Sequence, residues 1–382
     1  MKVAMLIRCF VTTGGAERYA VEVASRLAKK CELHVFAQEI GIEPPGIIFH
    51  KLSRIAQKPR YINQMHFSLQ TANLRSSFDV IHSHERVNDF DVFTIHCPTF
   101  KGGYLGGLST LAYWWKSTTH GLSPRNTYYL CQEAKQFRKV AGRRFLAVSQ
   151  HVMKDVINHY PLNETDFDIA YPGVDLDKFS PVSEYDKISA RKRFGLKEDD
   201  LVVCFVGTEF ERKGLGTLIK AMGLLKGSPL RLLVAGGGNS KSFLNMALCL
   251  GIKDKVHFAG MVSDVKSIYE ASDLYVLPTL SDPCPMAPLE AMACGLPVVV
   301  SNAQITGVAE HMQHGEAVLL NDPEDEIELA DALRILQDPI LRREYSSRGL
   351  SLVEQITWDE TAHQTFLSYE RSIKERRKGL GC

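Results

Sequence analysis

The chain has 382 residues, 45% of them hydrophobic and 23% charged, with a formal net charge of +1. At roughly 100–200 residues per domain this is enough for two or three domains with full cores, and the composition excludes extended disorder and low-complexity scaffolds. A net charge so close to zero argues against a general nucleic-acid binder, which needs a basic face to neutralise phosphates.

The first eight residues, Met1-Lys2-Val3-Ala4-Met5-Leu6-Ile7-Arg8, place a charge after five apolar positions. That run is too short for a secretory leader and reads as a first buried strand. Apolar stretches such as 296–300 fall far short of the ~20 residues a membrane-spanning helix requires. Further strand-like runs follow at 32–37, 80–82, 92–96 and 145–149, then at 201–206, 230–235, 256–259, 274–277 and 297–301. Helical periodicity separates them, clearest at 16–29, 216–225, 288–294 and 326–336. Continuous apolar strands alternating with helices predict parallel sheets covered on both faces.

Two such series are present, and the break between them falls where Pro, Gly and Asp cluster, from Tyr171-Pro172-Gly173-Val174-Asp175 to Pro181-Val182-Ser183. Residues 1–172 carry 21 basic against 14 acidic side chains, and the remainder 24 against 30. The expected organisation is a doubly wound domain over 1–172, a second over 173–360, and a C-terminal helix over 361–382. The last five residues read as a frayed, solvated tail. Nine cysteines (Cys9, Cys31, Cys97, Cys131, Cys204, Cys249, Cys284, Cys294 and Cys382) form no CxxC pair. They read as reduced thiols of a cytoplasmic protein rather than a disulfide framework or a zinc site.

Basic residues concentrate between positions 101 and 144: Lys101, Lys116, Arg125, Lys135, Arg138, Lys139, Arg143 and Arg144 against the single acid Glu133. Tyr104, Tyr113, Trp114, Trp115, Tyr128 and Tyr129 interleave with them, beside Gly102-Gly103 and Gly106-Gly107. Such a stretch suits a peripheral contact with an anionic membrane surface, or equally a solvated helix face with ordinary core aromatics.

In open parallel sheets ligands collect beyond the carboxyl ends of the strands. The loop after the first strand holds Gly14-Gly15 ahead of a helix, where a backbone can approach an anion or simply make a tight turn. After 201–206 comes Gly207-Thr208-Glu209-Phe210-Glu211-Arg212-Lys213-Gly214, with two cations at a helix start, fit for a diphosphate. After 274–277 comes Ser281-Asp282-Pro283-Cys284-Pro285-Met286-Ala287-Pro288-Leu289-Glu290. Glu290, flanked by apolar neighbours, can accept two hydroxyl hydrogen bonds as acids do for a ribose. His96 closes the strand Phe93-Thr94-Ile95-His96, where a histidine serves a catalytic role only if the ligand lies above it.

These elements, in this order, resemble the GT-B-fold retaining glycosyltransferases of family 4, and within them the lipopolysaccharide-core glucosyltransferases directed at heptose. The resemblance rests on Gly14-Gly15, Asp79-Val80-Ile81-His82-Ser83-His84, His96 and Pro172-Gly173-Val174-Asp175. It extends through Arg212-Lys213-Gly214, Val256-His257-Phe258-Ala259-Gly260, Ala271-Ser272-Asp273 and the acid pair Asp282 and Glu290. It implies two Rossmann-like domains facing one another across a cleft, and a terminal helix packing back on the first.

By the same resemblance Glu290 binds the ribose hydroxyls, while Lys213 and Arg212 take the donor diphosphate. Gly14 and Gly15 close on the diphosphate and sugar. His96 lies near the donor sugar, and Gly260, Met261 and Val262 cradle the base. Asp282, Pro285, Met286 and Ala287 face the hexose hydroxyls. The family usually has glutamate at the position of Asp282, and many members carry an arginine at the position of Thr208. The implied substrates are a UDP-hexose such as UDP-glucose and a glycolipid acceptor such as the lipopolysaccharide core. No metal or other cofactor is expected, and no nucleic acid. Attack is expected on the leaving-group side, with the departing phosphate as base. Three alternatives stay open at this level: a non-hydrolysing UDP-sugar epimerase, a glycosyltransferase acting on another cell-surface polysaccharide, and a nucleotide-sugar-binding or membrane scaffold protein without catalysis.

Overall fold

Valine, leucine and isoleucine runs bounded by glycine, proline and asparagine become strands here, and the amphipathic stretches between them become covering helices. The computed structural model describes residues 1–55, 58–105, 123–312 and 315–379. Two units divide the chain: Met1–Pro172 together with Trp358–Cys382, and Gly173–Thr357.

The first unit is built on β1 (Lys2–Leu6), β2 (Glu32–Ala37), β3 (Ile47–Lys51), β4 (Val80–Ser83), β5 (Val92–Ile95), β6 (Arg144–Ala147) and β7 (Phe167–Ile169). They form one parallel sheet in the order β3-β2-β1-β4-β5-β6-β7. The chain order reverses between β1 and β4, which places the ligand-binding position beyond their carboxyl ends. Every residue of β4, β5 and β6 is buried. The helix Gly15–Leu27 buries Tyr19, Ala20, Val23, Ala24 and Leu27, a stripe at helical spacing.

The C-terminal helix, Trp358–Gly379, belongs to this unit and presents Trp358, Ala362, Thr365, Tyr369 and Ser372 inward. Its basic end is helical and anchored at Arg376, while Lys374, Arg377 and Lys378 are exposed. Arg376 donates to the Asp79 carbonyl at 2.8 Å and pairs with Asp91 at 3.2 Å, while Glu375 pairs with Arg144 at 3.2 Å. The helix includes Lys378 and Gly379 of the expected frayed tail, and the remaining three residues lie outside the described ones.

The second unit is built on β8 (Leu201–Val206), β9 (Leu230–Ala235), β10 (Val256–Gly260), β11 (Leu274–Leu277), β12 (Val298–Ser301) and β13 (Val318–Leu320). Its parallel order is β10-β9-β8-β11-β12-β13, so the reversal here falls between β8 and β11. One apolar core joins these strands to the helices Leu215–Leu224, Ala287–Ala293 and Glu326–Ile335.

Several residues of the basic stretch are engaged by other parts of the first unit. Arg144 is buried and forms a salt bridge with Asp168 at 2.9 Å; Lys139 pairs with Asp166 at 2.7 Å. Arg143 lies over the Phe90 ring at 4.2 Å, and Lys101 donates to the His159 carbonyl at 3.0 Å. Lys116, Tyr113, Trp114, Trp115 and Gly106-Gly107 lie outside the described residues. Eight described cysteines are free, and only Cys204 and Cys294 are buried.

Candidate active site

In the second unit, Arg212 and Lys213 occupy the turn after β8, three and two residues ahead of the helix Leu215–Leu224. Gly214 caps that helix with φ +78°, and a Cβ there would stand 1.8 Å from the Pro278 carbonyl oxygen. Only glycine permits both the left-handed backbone and this approach to the chain leaving β11. The two strand ends are thereby locked together. Leu280 N–H donates to the Arg212 carbonyl at 2.9 Å, and Thr279 Oγ1 to the same oxygen at 3.2 Å.

The contact brings Asp282 beneath the cations. Lys213 Nζ lies 2.5 Å from Asp282 Oδ2, and Arg212 Nη1 3.5 Å from the same oxygen. Asp282 is buried, with its backbone bridged to the segment 305–307 through Ile305 and Gly307. Arg212 also reaches Glu209 through Nε at 2.8 Å and the Ser281 carbonyl. Two cations are thus clustered about one buried carboxylate at the reversal point of the sheet.

Glu290 is the fourth residue of the helix Ala287–Ala293 and is buried, against the alternative of a surface acid. Tyr269 Oη donates to Glu290 Oε2 at 2.9 Å. Burial, followed by Cys204, Glu290 and Asp282, pushes the Tyr275 phenol upward, so that ring stands in the fields of both acids. Tyr275 Oη is buried with no partner among the described residues. Pro285 is buried, whereas Met286 and Ala287 are half-buried at the helix entrance.

The segment expected to cradle the base ends β10. Gly260 has φ +70° and accepts from Gly236 N–H at 2.8 Å; Met261 is exposed and Val262 packs against the core.

In the first unit, Gly14 has φ +100° and caps the helix Gly15–Leu27 beyond β1. His96 follows β5 and is half-buried. The chain after it is held by distant carboxylates: Thr99 N–H donates to Asp155 at 2.6 Å, and Phe100 N–H to the buried Glu133 at 2.6 Å. His96 Nε2 lies 2.8 Å from His84 Nδ1, with the two rings stacked at 18°. Burial holds His96 and His82 down at about 3 and His84 well below its ordinary value, so all three rings are neutral at neutral pH.

A family described as "Glycosyltransferase Family 4" matches residues 13–178, and one described as "Glycosyl transferases group 1" matches 186–351. A D-inositol 3-phosphate glycosyltransferase of Stackebrandtia nassauensis is 30% identical over 408 aligned positions, covering 95% of this chain and 88% of that protein. The chain belongs to glycosyltransferase family 4.

An uncharacterised glycosyltransferase of Methanocaldococcus jannaschii is 28% identical, over 78% of this chain and 76% of that one. The D-inositol 3-phosphate glycosyltransferase of Mycolicibacterium smegmatis is 29% identical, the match spanning 54% of its length. Among solved structures, WaaG, a glycosyltransferase involved in lipopolysaccharide biosynthesis, superposes with a TM-score of 0.80 at 20% identity, covering 95% of this chain and 98% of that one. Anabaena HepE in complex with UDP-glucose gives 0.73 at 18%, covering 96% and 100%. The fold of this glycosyltransferase is therefore GT-B, and its class is transferase.

Sequence reasoning did not single out the Gly236-Gly237-Gly238 loop of the glycosyltransferase. Gly236 has φ +143° with its missing Cβ 1.6 Å from the Gly207 carbonyl, and a Cβ on Gly237 would meet Met261 Sδ at 2.8 Å. Three glycines directly after an apolar strand were the available signal. Tyr269, Tyr275 and the ring partnership of His84 carried none, because each depends on which strands become neighbours.

Proposed function

We propose that this glycosyltransferase moves a hexose, with retention of anomeric configuration, from a UDP-sugar such as UDP-glucose to a glycolipid acceptor such as the lipopolysaccharide core. The observation that carries the donor reading is the cluster of Arg212 and Lys213 around Asp282 at the sheet reversal, beside the buried Glu290. In this reading the two cations take up charge as the diphosphate departs, without a metal, and Glu290 holds the ribose hydroxyls. Asp282 orients Lys213 and, with Pro285, Met286 and Ala287, faces the hexose. Gly260, Met261 and Val262 receive the base. Gly14 and Gly15 approach the diphosphate, and His96 touches the hexose.

The acceptor hydroxyl oxygen bonds to the anomeric carbon as the bond from that carbon to the diphosphate oxygen breaks. Its proton passes to the departing phosphate, which leaves as the nucleoside diphosphate. Two structural likenesses support the choice of donor and acceptor, one to a protein solved with UDP-glucose and one to a protein of lipopolysaccharide biosynthesis. The exposed Lys135 and Arg138 remain for a peripheral contact with an anionic membrane on its cytoplasmic side.

The test supplies UDP-glucose, UDP-galactose, UDP-N-acetylglucosamine, ADP-glucose and GDP-mannose in turn, with and without a lipopolysaccharide-core acceptor and in the presence of a chelator. Acceptor-dependent release of UDP, with an α-linked product from an α-linked donor, is expected. Release from purine-nucleotide donors alone, or an inverted product, would overturn the reading.

A further inference from the structure

His82 and His84 stand two residues apart at the end of β4, with ring centroids 4.4 Å apart. Both nitrogens of His82 are engaged: Nδ1 with Tyr369 Oη at 2.6 Å and Nε2 with Thr94 Oγ1 at 2.7 Å. His84 differs. Its Nδ1 meets His96 Nε2, while its Nε2 is buried with no partner among the described residues. Tyr19 packs edge-on against His84 at 6.2 Å and His96 at 5.0 Å, its hydroxyl anchored on the Ala170 carbonyl at 3.0 Å and its far side against Trp358 at 5.6 Å. The two rings therefore have little room to turn.

Two neutral imidazoles joined by one hydrogen bond leave a choice of which ring donates. If His96 Nε2 donated, the proton of His84 would sit on its buried Nε2 as an unsatisfied N–H. If His84 Nδ1 donates, the orphan is a bare lone pair. Buried orphan donors are rarer than under-satisfied acceptors, so the second arrangement prevails. We infer that His84 is a positioning residue that donates from Nδ1 to His96 Nε2 and so fixes His96 in the Nδ1–H form, presenting a neutral hydrogen-bond donor to an oxygen of the donor hexose. No described residue hydrogen-bonds His96 Nδ1, which leaves it available for that role. The tautomer of one ring nitrogen is set by the bond the other makes, the logic by which a carboxylate orients the histidine of a hydrolase triad. The functional half of this inference rests on the reading that His96 touches the hexose.

The tautomer is read directly by nitrogen NMR of the full chain labelled at histidine. His96 is expected protonated at Nδ1 and bare at Nε2, with His84 likewise; a His96 protonated at Nε2 would overturn the inference. Kinetics give the second readout. The amide N–H of His84→Asn can replace the Nδ1 donor, so this variant should keep kcat within about threefold, whereas His84→Leu should lose about tenfold or more with donor KM little changed. Wild-type kcat in a folded His84→Leu sinks the positioning role. Wild-type kcat in His96→Ala instead removes His96 from the donor site, a failure that leaves the tautomer result standing and so is told apart from it.

Discussion

Lys213 and Asp282 meet as a 2.5 Å ion pair although 69 residues separate them in the chain. The pair exists because β8 and β11 are neighbours at the reversal of the sheet, and because Gly214 lets the turn after one strand touch the chain leaving the other.

Removing the carboxylate leaves Lys213 largely buried and unbalanced. Asp282→Ala should cost about 3 kcal/mol of stability, the scale for breaking a buried pair on one side. The double variant Lys213→Ala, Asp282→Ala should be more stable than Asp282→Ala alone, since the stranded cation is gone. Urea unfolding of the four members of this cycle measures the coupling; strictly additive losses would mean the pair contributes nothing.

Catalysis should respond differently from stability at the same place. Lys213→Ala is expected to lower kcat by more than about tenfold, because a cation that meets charge developing on the leaving diphosphate acts mainly in the transition state. Steady-state rates with saturating donor decide it. An unchanged kcat would take Lys213 out of the reaction.

At Glu290 the donated hydrogen bond from Tyr269 sets the orientation of the carboxylate. Glu290→Gln should raise the donor KM with a smaller change in kcat, and Tyr269→Phe should shift it in the same direction by less, about threefold, because the tyrosine acts on the donor only through the carboxylate it orients. Donor titrations of the two variants test this. A Tyr269→Phe effect larger than that of Glu290→Gln would show that the tyrosine, not the acid, faces the ligand.

How far the sequence alone reaches is clear from these same residues. Strands such as Leu201–Val206, Leu230–Ala235 and Leu274–Leu277 announce themselves as unbroken apolar runs, because both faces of a parallel sheet are covered. Ile47–Lys51, half exposed at the edge of its sheet, and the three-residue Phe167–Ile169 and Val318–Leu320 lack that signature and are visible only in the fold. The loops carrying Arg212, Lys213, Asp282 and Glu290 were legible from their place after strands. Which of these side chains would touch was not, since Lys213 finds Asp282 only through strand order. The density of cations at 101–144 likewise hid that Arg144 is a core residue, matched by Asp168 on the adjacent strand.

Gly214 offers a sharp test of the lock between the strand ends. In Gly214→Ala the left-handed backbone alone costs about 1–3 kcal/mol, and the new methyl group cannot coexist with the Pro278 carbonyl 1.8 Å away without a backbone shift. The variant should melt lower and also bind donor more weakly, because the shift displaces both Lys213 and the chain leading to Asp282. A variant that melts lower yet keeps the wild-type donor KM would separate the lock from the site.

The histidine cluster of the first unit makes the stability depend on pH in a stated direction. His82 is fully buried between Tyr369 and Thr94 and titrates only near 3 in the folded chain, against an ordinary value near 6.5. A folded-state value below the unfolded one means that the unfolded chain binds the extra proton. The contribution is therefore complete above pH 6.5 and is lost as the pH falls from there towards 3, at up to about 1.4 kcal/mol per pH unit for each such histidine. His84 and His96, lowered by burial as well, act in the same sense. His82→Gln retains a group able to bond Tyr369 or Thr94 but does not titrate. It should be less stable at neutral pH and lose stability more gently than the parent between pH 6 and pH 4. Carboxylates protonate alike in both proteins, so the difference between the two slopes isolates the ring. Urea midpoints at three pH values in that window suffice, and parallel slopes would mean that His82 already carries its proton when folded.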